Sequence, residues 1–108
     1  MNQSPSPSNT VEGQNFTLVW TYTLDGTVGL ANFKIIKNGI ELLIGKKFGP
    51  GVTTVEPEYQ ARFKALATNT RAELTILSVR RSDEAIYRMA VNPTGTGSLG
   101  QSVVVSVY

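Results

Sequence analysis

Ser82-Asp83-Glu84-Ala85-Ile86-Tyr87-Arg88-Met89-Ala90-Val91 is the stretch on which the reading of this chain turns. From Ala85 onward the side chains alternate. Ala85, Tyr87, Met89 and Val91 point one way, and Ile86, Arg88 and Ala90 the other. A period of two belongs to a strand with one buried face. Ahead of it lies a polar corner, Arg80-Arg81-Ser82-Asp83. An Asp in that place bonds its own backbone and sets a turn. Tyr87 can bury its ring and aim its hydroxyl back at the corner.

A second strong strand lies upstream. Phe16, Leu18, Trp20 and Tyr22 alternate with Asn15, Thr17, Val19 and Thr21, after a turn at Val11-Glu12-Gly13-Gln14. The pattern Asp83-x-Ala85-x-Tyr87-x-Met89 resembles the turn and strand F of an immunoglobulin domain, with its tyrosine corner. Glu12-Gly13-Gln14-x-Phe16-Thr17-Leu18-x-Trp20 resembles strand B of the same family. The family has cysteines where this chain has Trp20 and Met89. The resemblance implies an all-β fold: an immunoglobulin-like V-set β-sandwich of two antiparallel Greek-key sheets, with no disulfide.

The rest of the chain can be laid against that pattern. Residues 1–10 read as a loose lead-in or a short edge strand, and residues 11–108 as the domain. Ala31–Ile36 reads as strand C with Phe33 and Ile35 inward, and Ile35 stands where the family has its core tryptophan. Lys37-Asn38-Gly39 is a turn, since Asn-Gly suits positive φ. Glu41–Ile44 follows as strand C′. Residues 45–58 read as loop with a short C″ strand at 52–55. Strand D is expected at 59–65, E at 71–77 with Val79 capping the core, and G at 101–108. The C′ region and the long stretch from C′ to D favour the variable, V-set type. Eight or nine strands at this spacing argue a sandwich.

Composition narrows the function. The chain has 108 residues, 41% apolar and 17% charged, which is globular rather than disordered. The net charge is +2 with both signs interspersed, which gives nucleic-acid binding little support. No apolar run nears the roughly 20 residues of a membrane span, and no basic-then-apolar leader opens the sequence. Any leader or anchor is expected outside these residues. There are no cysteines and no histidines, which removes Cys/His zinc sites and the Ser-His and Cys-His dyads. The carboxylates are scattered; Glu56 and Glu58, the closest pair, read as a solvated loop. No catalytic, cofactor-binding or metal-binding residue and no small-molecule substrate is therefore expected.

What remains is protein recognition. Trp20 facing Met89 reads as a packed substitute for the cross-sheet bond, because a thioether against an aromatic ring adds about 0.3–1.5 kcal/mol beyond burial. The family implies an ion pair between Arg62 and Asp83 that closes one end of the sandwich. It also implies recognition through the face of strands G, F, C and C′. Strand phase puts Lys34, Ile36, Ile86, Arg88 and Ala90 outward on that face, with Leu43 or Ile44 as an extension. The alternative is that the chain's own C′–D segment covers Ile36 and Ile86. The loops 24–30 and 92–98, the latter with Thr94 and Thr96, are rich in Gly and Thr and suit adaptable polar contact. Asn15-Phe16-Thr17 is a glycosylation sequon.

By this resemblance the chain is expected to be an extracellular recognition domain of a cell-surface receptor. It would serve cell-cell adhesion or self/non-self recognition, binding a protein and, by preference, an identical domain. Cysteine-poor V-set-like domains resemble those of invertebrate allorecognition receptors of the cnidarian kind. The alternatives are an intracellular immunoglobulin module of a scaffold or muscle-like protein, and a soluble immune or viral decoy.

Overall fold

A computed structural model describes residues 2–3, 8–23, 28–49, 52–93 and 99–108. The described chain forms ten strands and two single turns of 3-10 helix. Four strands make one sheet, in the order β1 (Asn2–Gln3), β3 (Phe16–Thr21), β8 (Arg71–Ile76) and β7 (Phe63–Ala67). Six make the other: β2 (Ser8–Thr10), β10 (Leu99–Val107), β9 (Ala85–Pro93), β4 (Val28–Lys37), β5 (Ile40–Phe48) and β6 (Thr54–Val55). The chain crosses between sheets from β1 to β2, β2 to β3, β3 to β4, β6 to β7 and β8 to β9, so each sheet mixes distant segments.

The first ten residues supply an edge strand to each sheet. β1 pairs with β3, and β2 pairs with β10. The β2–β10 pair runs parallel, whereas every other pair is antiparallel. Alternation produces the core directly. Leu18, Trp20 and Tyr22 meet Phe33, Tyr87, Met89, Val91, Val103 and Val105 between the sheets, all of them buried. Strand D starts later than its sequence suggests, at Phe63. Pro57–Tyr59 forms a 3-10 turn first, because Pro57 has no amide hydrogen for a ladder but suits the first position of a helical turn.

Ile44 corrects the sequence expectation. It is fully buried and belongs to the core, so it cannot lie on the outward face. The turn explains why. Asn38 and Gly39 both have positive φ, 54° and 76°, as a two-residue type I′ turn requires. That turn sets Lys37 opposite Ile40, Ile36 opposite Glu41, and Lys34 opposite Leu43. Ile44 then falls on the inward side with Phe33. A bulge at this point leaves Phe33 paired with Gly45. Gly45 is needed there for space: a Cβ would lie 2.8 Å from the Thr54 carbonyl oxygen, on backbone that cannot yield cheaply.

Trp20 and Met89 come from opposite sheets and both are fully buried. The indole meets the ring of Phe33 edge-on, with centroids 6.1 Å apart, and Phe33 is the direct cross-strand neighbour of Met89. Among the described residues the indole Nε1–H has no hydrogen-bond partner. An unpaired buried donor costs about 1–3 kcal/mol, so the ring is retained for its volume and not for its polar atom.

Candidate recognition face

The outward side of the six-stranded sheet is built from the positions between the core residues. Directly opposite residues in a ladder share a face. The registers therefore define three rows across β10, β9, β4 and β5. Val104, Ile86, Ile36 and Glu41 form the first; Ser102, Arg88, Lys34 and Leu43 the second; Gly100, Ala90, Asn32 and Lys46 the third. Ile36 and Ile86 are direct cross-strand neighbours and each is partly exposed. Val104 beside them is 43% exposed. These three line an open concavity at the end of the face, between the Asn38 turn and Glu84. The chain's own β6 lies at the far edge, against β5, and does not cross this row.

The cations sit on the second and third rows, with Glu41 at the end of the first. Lys34 Nζ and Glu41 Oε1 are 2.8 Å apart, with both side chains well exposed. The hydrogen bond and charge of Lys34 hold the Glu41 carboxyl below the usual range, with a smaller contribution from Arg88. Lys46 lies 3.8 Å from Glu56 and 5.5 Å from the centre of the Phe48 ring. Arg88 donates to Ser102 Oγ at 3.4 Å, and among the described residues no carboxylate lies within ion-pair reach of it.

The opposite arrangement holds at the corner before β9. Arg62 grips Asp83 in a two-pronged pair, Nη1 to Oδ1 at 2.9 Å and Nη2 to Oδ2 at 2.7 Å. The same Nη2 also reaches the carbonyls of Leu77 and Ser78, the latter held at φ 48°. Asp83 Oδ2 accepts the Arg80 amide at 2.7 Å, capping the turn. Tyr87 donates its hydroxyl to the Asp83 carbonyl at 2.6 Å. Burial pushes the Asp83 carboxyl up, but the bonds from Arg62 and Arg80 and the guanidinium charge outweigh it and hold the carboxyl below its ordinary value. Burial pushes the Tyr87 phenol far up, so it stays protonated and donating.

The structure thus brings Lys34, Ile36, Ile86 and Arg88 together on one face and places Ile44 in the core. Thr94 and Thr96 lie outside the described residues, as does most of the loop before β4. Asn15 is exposed just ahead of β3, on the four-stranded side, with its Oδ1 accepting the Ser78 amide at 3.0 Å. Sequence reading missed Val104 and Glu41. The phase of Val103 and Val105 points to the first, and the register of the Asn38-Gly39 turn to the second. Among the described residues no three carboxylates gather into a metal site, and no helix is long and apolar enough to cross a membrane.

The comparisons with known proteins agree with this architecture. No curated protein matches the chain. Among solved structures, one chain is similar over 98% of this chain and 96% of its own length, with TM-score 0.79 and 15% identity. It comes from work on T cell specificity and activation by the bacterial superantigen toxic shock syndrome toxin-1. A chicken TCR structure is similar over 99% of this chain and 49% of its own, with TM-score 0.79 and 22% identity, so this chain spans about half of it. At such identities the likeness shows the fold. The family model for the immunoglobulin V-set domain matches residues 3–108. V-set domains are generally non-enzymatic modules that bind proteins, typically as extracellular parts of surface receptors. With nearly its whole length matched, this chain belongs to the immunoglobulin V-set family.

Proposed function

We propose that the chain is the recognition domain of a cell-surface receptor, on the extracellular side, and that it binds an identical domain on a neighbouring cell through the β10-β9-β4-β5 face. The reading is carried by the row Val104, Ile86 and Ile36, three neighbouring apolar side chains, each at least partly exposed, on an outward surface that no described strand crosses. Apolar groups rimmed by Lys34 and Arg88 match the core-and-rim anatomy of protein interfaces. Four strands and three rows span about 20 Å by 20 Å, which lies at the small end of specific interfaces and fits a weak, reversible contact. Self/non-self recognition is the use such a contact suits. A glycan on Asn15 would leave from the opposite sheet and keep this face bare.

The test is sedimentation of the purified chain at high concentration, alongside clustering of beads coated with it. Self-association that disappears in Ile36→Asp, Ile86→Asp, with an unchanged melting temperature, supports the reading. A doubly substituted chain that still associates like wild type overturns the choice of face.

We also infer that Trp20 and Met89 together take the place of the cross-sheet bond. Trp20→Ala is expected to cost about 3–5 kcal/mol in denaturant unfolding, with Met89→Ala close behind. A loss below 1 kcal/mol for either would remove it from that role.

A further inference from the structure

We propose that, in the self-association described above, Arg88 of each copy binds the Glu41 carboxylate of the other, across an oblique two-fold axis lying in the face. The inference rests on the homophilic reading and adds its geometry.

The argument begins with unbalanced charge. On the outward face Lys34 has Glu41, and Lys46 has Glu56. Arg88 stands beside Lys34 on the middle row, on the side away from both pairs, and among the described residues no carboxylate lies within ion-pair reach of it. Its guanidinium leans over Gly100, where a Cβ would sit 2.6 Å from Nη2. A guanidinium offers a fork of donors matched to a carboxylate, and one long bond to a hydroxyl does not use it. Glu41 is exposed and engaged through one oxygen, so its carboxylate can accept a second cation.

Symmetry then selects the arrangement. A two-fold axis parallel to the strands, between β9 and β4, would set Arg88 of one copy on Lys34 of the other. An axis running across the strands through the middle row would set Arg88 on Arg88. Both put like charges in contact. Strands lie about 4.8 Å apart and alternate residues about 6.8 Å, so Arg88 and Glu41 are offset by about 10 Å across the sheet and about 7 Å along it. An axis perpendicular to the line joining them exchanges the two positions. The same operation lands Ile36 beside Ile86 of the other copy and lays Lys34 over Leu43, where its aliphatic stem packs. The strands of the two copies then cross at about 70°, within the range of orthogonal sheet packing. Each Glu41 keeps Lys34 of its own chain and gains Arg88 of its neighbour.

Charge reversal gives the test its shape. Arg88→Glu carries acids at both contact positions, and Glu41→Arg carries bases at both. Each variant alone should self-associate about tenfold or more weakly than wild type, because like charges then face each other. An equimolar mixture should recover association near the wild-type level, since every contact in the mixed pair is again Arg with Glu. Sedimentation with one variant fluorescently labelled reads this directly, and unchanged melting temperatures confirm that both variants fold. Recovery in the mixture supports the contact. A mixture that stays monomeric while wild type associates overturns it and leaves the homophilic reading standing. A wild-type chain that stays monomeric under the same conditions defeats the homophilic reading itself, and this contact with it.

Discussion

The corner at Asp83 and the face around Arg88 use the same chemistry to different ends. At the corner a guanidinium and a carboxylate meet through two short bonds, and Asp83 as a residue is 6% exposed. Its oxygens are filled by Arg62 and Arg80, and Tyr87 takes the carbonyl above. On the face Lys34 and Glu41 meet through one bond in water, and among the described residues Arg88 reaches a single hydroxyl. A saturated, buried pair has nothing left to offer a partner and fixes the fold. An exposed, unsaturated group adds little to folding and keeps its bonding capacity for something else. Burial and saturation, more than the presence of charge, separate the corner from the face here.

That contrast can be broken from either side. The largest effect belongs to Asp83→Ala, which leaves Arg62 and the Arg80 amide without their acceptor; a loss of about 2–3 kcal/mol in denaturant unfolding is expected, allowing for the partly exposed guanidinium. A loss no greater than that of a surface Asp would place the corner with the face. Tyr87→Phe keeps the ring and removes one buried bond, and about 1–1.5 kcal/mol should go. Acid supplies a third probe. The folded Asp83 carboxyl lies below its unfolded value, so its stabilisation is complete above about pH 4 and is lost as pH falls through the folded value. Unfolding followed from pH 6 to pH 2 should fall more steeply in wild type than in Asp83→Ala; parallel curves would remove Asp83 from the acid response. Lys34→Ala is the smallest, at most about 0.5 kcal/mol, because the pair with Glu41 is solvated. A loss above 1 kcal/mol there would mean the face is structural.

The corner was the more legible region because its signals are local. Asp83, Ala85 and Tyr87 sit within five residues, and their spacing alone aims the hydroxyl back at the turn. The phases of β3 and β9 were equally open, since strict alternation leaves one choice of buried side. β5 was harder because Glu41-Leu42-Leu43-Ile44 does not alternate cleanly. Its phase comes from the two-residue turn before it, and the bulge after Leu43 lies beside Gly45, where β6 packs closely, a contact no local pattern announces. The pairing of residues 8–10 with β10 joins segments nearly a hundred residues apart in a polar, Pro-containing stretch, and nothing in that stretch names its partner.

That parallel pairing has a mechanical side. Ser8, Asn9 and Thr10 lie in register with Val105, Ser106 and Val107, and the ladder continues through Tyr108 to Thr10 and Glu12 to Tyr108. Strands that run in the same direction, when pulled from their opposite ends, slide against one another and load every rung together. Strands hinged at a hairpin would open one rung at a time. Forced unfolding is governed by the rate of the first rupture. A domain hauled between its two ends would therefore shear this short seam as a unit once the two-residue β1–β3 pair ahead of it had given way.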